Sequence, residues 1–178
     1  MKSLHQLSQL SMFSMDHIEL TAESRNKIDT TVLYSMNRDP NQNINHVTNR
    51  CIIATMAEQK VASHMLGYVM NGTVDFSDPL SYAYDVLSGI EYHGARIEVK
   101  THQSNARWIS VNLDERNTTG FMNLFHFLNY EAADYITIFN SLPLTPTSYN
   151  FKTAFVGTRA DIKKVIRKSN YNGWYLHI

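Results

Sequence analysis

The longest helical signal in the chain runs from about Thr48 to Asn71, and it sets the frame for the rest of the fold. At 100° per residue, Cys51, Ala54, Val61, Ala62, Met65 and Val69 fall on one face. Gly72 comes next, in the position where a helix end favours a residue free to turn left-handed, so the helix is expected to stop there. Glu58 breaks the pattern: it falls in the middle of the apolar face, while Gln59, Lys60 and Ser63 lie away from it. A carboxylate so placed is unfavourable unless it is paired or metal-bound.

Beyond this helix the pattern turns to short extended segments. Residues 81–88 and 95–101 read as two strands joined by Gly89 to Gly94, and 107–113 as a third. Residues 121–133 read as a helix with Phe121, Leu124, Phe125 and Leu128 on its apolar face. Strands are expected at 135–139 and 151–156. A helix follows that opens on Thr158 and Asp161 at capping-box spacing, and 174–178 is a last strand. Strands alternating with helices imply an α/β fold with a mixed central sheet flanked by helices. Upstream, the turn formers of Asn37 to Asn45 separate this region from two modest helices at 4–14 and 21–36. The expected organisation is an N-terminal helical extension, 1–46, and a core, 47–178.

A chain of 178 residues with 43% hydrophobic content can bury one sizeable core. No apolar run approaches the ~18 residues needed to span a membrane. Met1 to Met15 lacks the continuous apolar stretch of a secretory signal. The single Cys51 excludes a disulfide framework and a thiolate metal cluster, which fits a reducing, cytoplasmic setting. Zero net charge argues against a strongly basic nucleic-acid binder, yet the charge is uneven. Residues 53–98 hold six acids and two bases; residues 135–178 hold six bases and one acid. That distribution suits a metal site beside a phosphate-binding surface, or mere clustering of surface charge. Lys163, Lys164, Arg167 and Lys168 are the candidate nucleic-acid contacts, as one basic helical face, with a solvated face as the alternative.

Acid-x-Lys occurs three times, as Glu58-Gln59-Lys60, Glu98-Val99-Lys100 and Asp161-Ile162-Lys163. In the first and third, which lie in expected helices, residues two apart point to different sides. The second lies in an expected strand, where residues two apart share a face. If the hairpin centres near Glu91 and Tyr92, residues whose numbers sum to about 183 lie opposite one another, and Asp85 lands beside Glu98. Cross-strand neighbours stand ~5 Å apart, within reach of one divalent ion. A hard cation such as Mg²⁺ takes carboxylate oxygens and shares its other positions with water and phosphate. Lys100 on the same face is suited to orient water and balance phosphate charge.

Asp85, then twelve residues, then Glu98-Val99-Lys100 after a hairpin resembles the PD-(D/E)xK nucleases, over roughly residues 47–140. Tyr84 stands where the family name has proline. The resemblance implies a restriction-endonuclease-like core with Asp85, Glu98 and Lys100 catalytic and Asp85 and Glu98 binding Mg²⁺ (or Mn²⁺). Many members draw an extra acid from the preceding helix, for which Glu58 is the candidate; a salt bridge to Arg96 or Arg107 is the alternative. The implied function is a DNA endonuclease, restriction-like or junction-resolving. It would act as a homodimer, with residues 1–46 as a dimerisation or DNA-gripping element. The alternatives are an exonuclease or repair nickase of the same fold, and a non-catalytic DNA-binding or structural protein.

Other candidates carry less. His102 shares the face of Lys100 but reads more readily as an ordinary hydrogen-bond partner, and Gln103 faces away. Glu91 and Asp78 fall in expected turns. The histidine spacing gives no zinc site, and neither a Gly-x-Ser-x-Gly elbow nor a phosphate loop is present.

Overall fold

The computed structural model describes residues 2–71, 83–115, 121–171 and 173–178. Helix α1 (Lys2–Ser8) leads into strand β1 (Met12–Asp16), whose burial alternates along the strand. Thr21 opens α2 (Ala22–Arg38) by accepting the Ser24 N–H on its hydroxyl. Asn43 opens α3 (Ile44–His64) by accepting from the N–H groups of Asn45 and His46. There follow β2 (Tyr68–Val69), β3 (Val86–Leu87), β4 (Arg96–His102), β5 (Trp108–Asn112), β6 (Met122–Asn123) and α4 (Phe125–Asn129). The chain closes with β7 (Tyr135–Pro143), β8 (Ser148–Gly157), α5 (Arg159–Val165), β9 (Ile166–Lys168) and β10 (Trp174–His177). At α5 the expected capping box is present: Thr158 and Asp161 satisfy each other's backbone N–H groups.

The larger sheet has the order β1-β8-β7-β4-β3-β2 and is antiparallel except at its centre, where β4 and β7 run parallel. A smaller sheet, β6-β5-β10-β9, is parallel only between β5 and β6. Strand β7 separates two cores. Phe139 joins Leu7, Phe13, Ile28, Ile53, Met56 and Val61 from the helices and β1. Ile136 and Ile138 point the other way, toward Ile109 and Leu176 of the smaller sheet and Phe127 and Ile162 of α4 and α5. Each such side chain contributes about 1.5–3 kcal/mol on burial. The chain is thus mixed α/β, with a mixed central sheet flanked by helices, as the alternating elements predict.

Four expectations need correction. The helix expected over 4–14 ends at Ser8, and its second half is strand β1. Phe13 and Met15 face the core while Met12 and Ser14 face out, a period of two that the leucine spacing of Leu4, Leu7 and Leu10 conceals. The same strand corrects the role of residues 1–46. Far from standing outside the core, they supply an edge strand to the main sheet, with Phe13 paired to Phe151 and stacked on it at 4.7 Å.

The long helix stops at His64 instead of continuing to Asn71. Leu66 adopts a left-handed φ of 50°, and the Gly67 N–H turns back to the Ala62 carbonyl. Gly67 is required there because a Cβ would collide with the Leu87 carbonyl of β3. Gly72, Asp78 and residues 81–82 lie outside the described residues. The helix expected over 121–133 is reduced to α4, because Met122 and Asn123 pair with β5 and the Asn123 side chain accepts the Phe125 N–H.

Candidate active site

Two backbone hydrogen bonds fix Asp85 in the plane of the main sheet. Its N–H donates to the Ile97 carbonyl at 3.0 Å, and its carbonyl accepts the Met70 N–H at 2.8 Å. The pairs Val86–Ile97 and Leu87–Arg96 give the expected register, which brings Asp85 to Glu98. Asp85 Oδ2 also accepts the Val99 N–H at 2.8 Å, tying the first acid to the middle of the acid-x-Lys motif. Along β4, Ile97 and Val99 enter the helix-side core, while Glu98 and Lys100 alternate with them and form an ion pair.

A second ion pair lies deeper. Lys27 of α2 places Nζ 2.7 Å from Glu58 Oε2 and 3.9 Å from Asp85 Oδ1. The side chains of Lys27 and Glu58 are 6% and 7% exposed, against 20% for Asp85 and 30% for Lys100, so solvent reaches the cluster from the Asp85–Lys100 side. Glu58 therefore does not pair with Arg96 or Arg107. Arg96 is taken by Asp134, at 2.8 Å.

Burial pushes the carboxyls of Glu58 and Glu98 up to about 7, partly offset by Lys27 and Lys100 respectively, with Asp85 adding to the upward push on both. Burial also works against the charge on Lys27 and Lys100. The surrounding carboxylates outweigh it, Glu58 first for Lys27 and Glu98 first for Lys100, and hold both ammonium groups above their ordinary value. Three acids and two lysines thus form one partly exposed cluster.

The donor chemistry fits a hard cation in a particular way. Among the described residues no three His, Cys, Asp or Glu side chains close into a ready-made metal centre. Glu58 is turned to Lys27, which leaves Asp85 and Glu98 as the two acids on the solvent side. Mg²⁺ is commonly held by one or two carboxylates, with water and phosphate oxygens completing its shell. Asp85 and Glu98 would hold it here.

The remaining candidates separate from this cluster. Lys60 sits over the Phe13 ring, 5.8 Å from its centroid, and Asp161 pairs with Lys164 at 2.9 Å. Neither of the other acid-x-Lys copies converges, as helical geometry dictates. Lys163, Lys164, Arg167 and Lys168 are all exposed but do not form one helical face: α5 ends at Val165, and Arg167 and Lys168 lie on β9. Gln103 is exposed. His102 and Asn140 are register partners whose Nδ1 and Oδ1 lack hydrogen-bond partners among the described residues, so His102 does not play the expected bonding role through that nitrogen. Burial raises the Cys51 thiol to about 11, which makes it inert. Lys27 is the site residue that the sequence pattern did not single out. Its one signal was indirect, in that Glu58 on an apolar face needs a cation from somewhere.

Buried carboxylates shifted toward neutrality beside two lysines mark a candidate active site on this mixed α/β fold. The chain belongs to the bacteriophage T4 endonuclease IV family, whose model matches residues 1–178. It is 44% identical over 184 residues to Endonuclease IV of Enterobacteria phage T4, covering 98% of this chain and 96% of that relative. It is accordingly a nuclease. No solved structure matches it. No helix among the described residues is long and apolar enough to cross a membrane.

Proposed function

We propose that this nuclease is a Mg²⁺-dependent DNA endonuclease of PD-(D/E)xK type, restriction-like or junction-resolving. The observation that carries the proposal is the hydrogen bond from Val99 to Asp85, which locks the first acid against Glu98-Val99-Lys100. Asp85 and Glu98 would hold the ion, which when bound would supply Lewis acidity toward the phosphate and make water a better nucleophile. Lys100, the more exposed of the two lysines, orients the attacking water and offsets charge building on the phosphate. The inner pair, Lys27 and Glu58, fixes the wall against which Asp85 rests. Lys163, Lys164, Arg167 and Lys168 provide an exposed basic surface for backbone phosphates. Cleavage of both strands requires two such sites, hence a homodimer, which light scattering against the 20.5 kDa monomer mass tests.

Purified protein incubated with plasmid, junction and single-stranded DNA, in Mg²⁺ and in EDTA, tests the function. Cleavage should require the ion and yield internal cuts in circular DNA. Lys100→Ala should lower the rate by at least ~100-fold. Lys60→Ala and Lys163→Ala should not, because neither lysine converges on the cluster. Cleavage that persists in EDTA overturns the metal dependence, and activity confined to DNA ends redirects the assignment to an exonuclease.

A further inference from the structure

Lys27 enters the cluster from an element that forms no part of the acid-x-Lys hairpin. It lies on α2 between buried Ser24 and Ile28, with the helix held at its start by the Thr21 cap. Its ammonium bridges two carboxylates, Glu58 at 2.7 Å and Asp85 at 3.9 Å. Apart from Lys27, the buried Glu58 Oε2 meets no hydrogen-bond donor among the described residues. Lys27 is therefore the inner acid's direct ion-pair partner among the described residues. Asp85 in turn presents Oδ1 to Lys27 on the inner side, while Glu98 and Lys100 lie on the outer side. In two-metal phosphodiesterases the ions stand ~3.5–4 Å apart and clamp both sides of the reacting phosphate. The second ion of such a pair would need the place between Glu58 and Asp85 that the ammonium already fills.

We propose that Lys27 is a built-in cation in the second-ion position, so that the site takes a single divalent ion at Asp85 and Glu98. Glu58 then serves to hold Lys27 and is not itself a metal ligand. The inference rests on the metal-dependent function proposed above and specifies the number of ions that function uses. Displacing the lysine would strand a buried ammonium away from its partners, which strongly disfavours a second ion in the native chain. Removing its charge while keeping its length should open the position: Glu58 and Asp85 would then have no cation between them, and a second divalent ion could take both carboxylates.

Mn²⁺ binding to the DNA-free protein, counted by electron paramagnetic resonance with calorimetry alongside, tests this directly. The wild type should bind one Mn²⁺ per chain, and Lys27→Met should bind two. The double variant Lys27→Met/Glu58→Gln, which removes both charges, should return to one. Glu58→Gln alone should stay at one with affinity changed less than about tenfold, the lower end of the loss seen when a group supporting a metal site is removed. Circular dichroism establishes that each variant is folded. If Lys27→Met fails to fold, the wild type, the double variant and Glu58→Gln still decide. Two ions in the wild type, one ion in a folded Lys27→Met, or a larger loss of affinity in Glu58→Gln overturns the role given to Lys27 and leaves the metal-dependent function standing. No Mn²⁺ bound by the wild type, or Mn²⁺ binding unchanged in a folded Asp85→Asn, overturns the metal-dependent function at this site and the inference with it.

Discussion

Asp85 performs two tasks with one carboxylate, and two substitutions separate them. Oδ2 accepts the Val99 N–H at 2.8 Å, while the charge faces Lys27 and the proposed ion. Asp85→Asn keeps an oxygen for Val99 and loses the charge; Asp85→Ala loses both. Val99 is 4% exposed, so truncation leaves its N–H buried without an acceptor, at a cost of about 1–3 kcal/mol. In a domain of this size each kcal/mol shifts the melting temperature by about 2–4 °C, so the alanine variant should melt ~2–12 °C below the asparagine variant. Loss of the charge weakens the hold on Lys27 and relieves repulsion with Glu58 and Glu98. Those effects are common to both variants, and the difference between them isolates the Val99 hydrogen bond. Both should cut end-labelled DNA in Mg²⁺ at least ~100-fold more slowly under single-turnover conditions. An asparagine variant cutting within about tenfold of wild type would refute Asp85 as an ion ligand. Equal melting of the two variants would refute the structural task.

The raised carboxyls of Glu58 and Glu98 set a pH dependence for the metal-free protein. Their values rise from 4.5 to about 7 on folding, so the native state holds protons that the unfolded chain releases, and stability in EDTA should fall as pH rises through that window. Saturating Mg²⁺ should flatten the fall, and melting curves that are level or rising in EDTA would contradict the shifts. Asp161, held down to about 2 by Thr158 first and then Lys164, gains its stability below this window and does not mask it. Gly67→Ala should destabilise by about 1–3 kcal/mol through forced displacement of Leu87, and more than Gly173→Ala, where no atom lies within 4 Å; urea unfolding compares them. Lys163→Ala with Lys168→Ala should weaken DNA binding for all sequences and lower the slope of log affinity against log salt by about one for each phosphate no longer neutralised. An unchanged slope would mark these lysines as merely solvated.

The hairpin was readable because both of its signals are local. Strand alternation puts Glu98 and Lys100 on one face, and the short connection from Gly89 to Gly94 fixes the register that delivers Asp85. The inner half of the cluster was not readable, because Lys27 meets Glu58 across two helices and nothing in the spacing of Ile28, Val32 and Met36 aims a lysine there. The same distinction explains where the expected and observed elements differ. Val69 continues the apolar periodicity of α3 but is apolar for a different reason, as part of a strand that packs against that helix's core. Met12 to Asp16 becomes a strand only because β8 offers it an edge, and a partner so distant in sequence leaves no local trace.

That distant partnership also times the birth of the enzyme. Phe13 cannot meet Phe151 until almost the entire chain has been translated, and β4 cannot gain its parallel neighbour until residues 135–140 have emerged from the ribosome. At synthesis rates of ~5–20 residues per second, the N-terminal segment waits about 7–28 seconds for its mate. A nascent or prematurely terminated chain lacking β8 therefore lacks the finished sheet on which Asp85, Glu98 and Lys100 depend. The proposed site should therefore be completed late in synthesis, once β7 and β8 have joined the sheet.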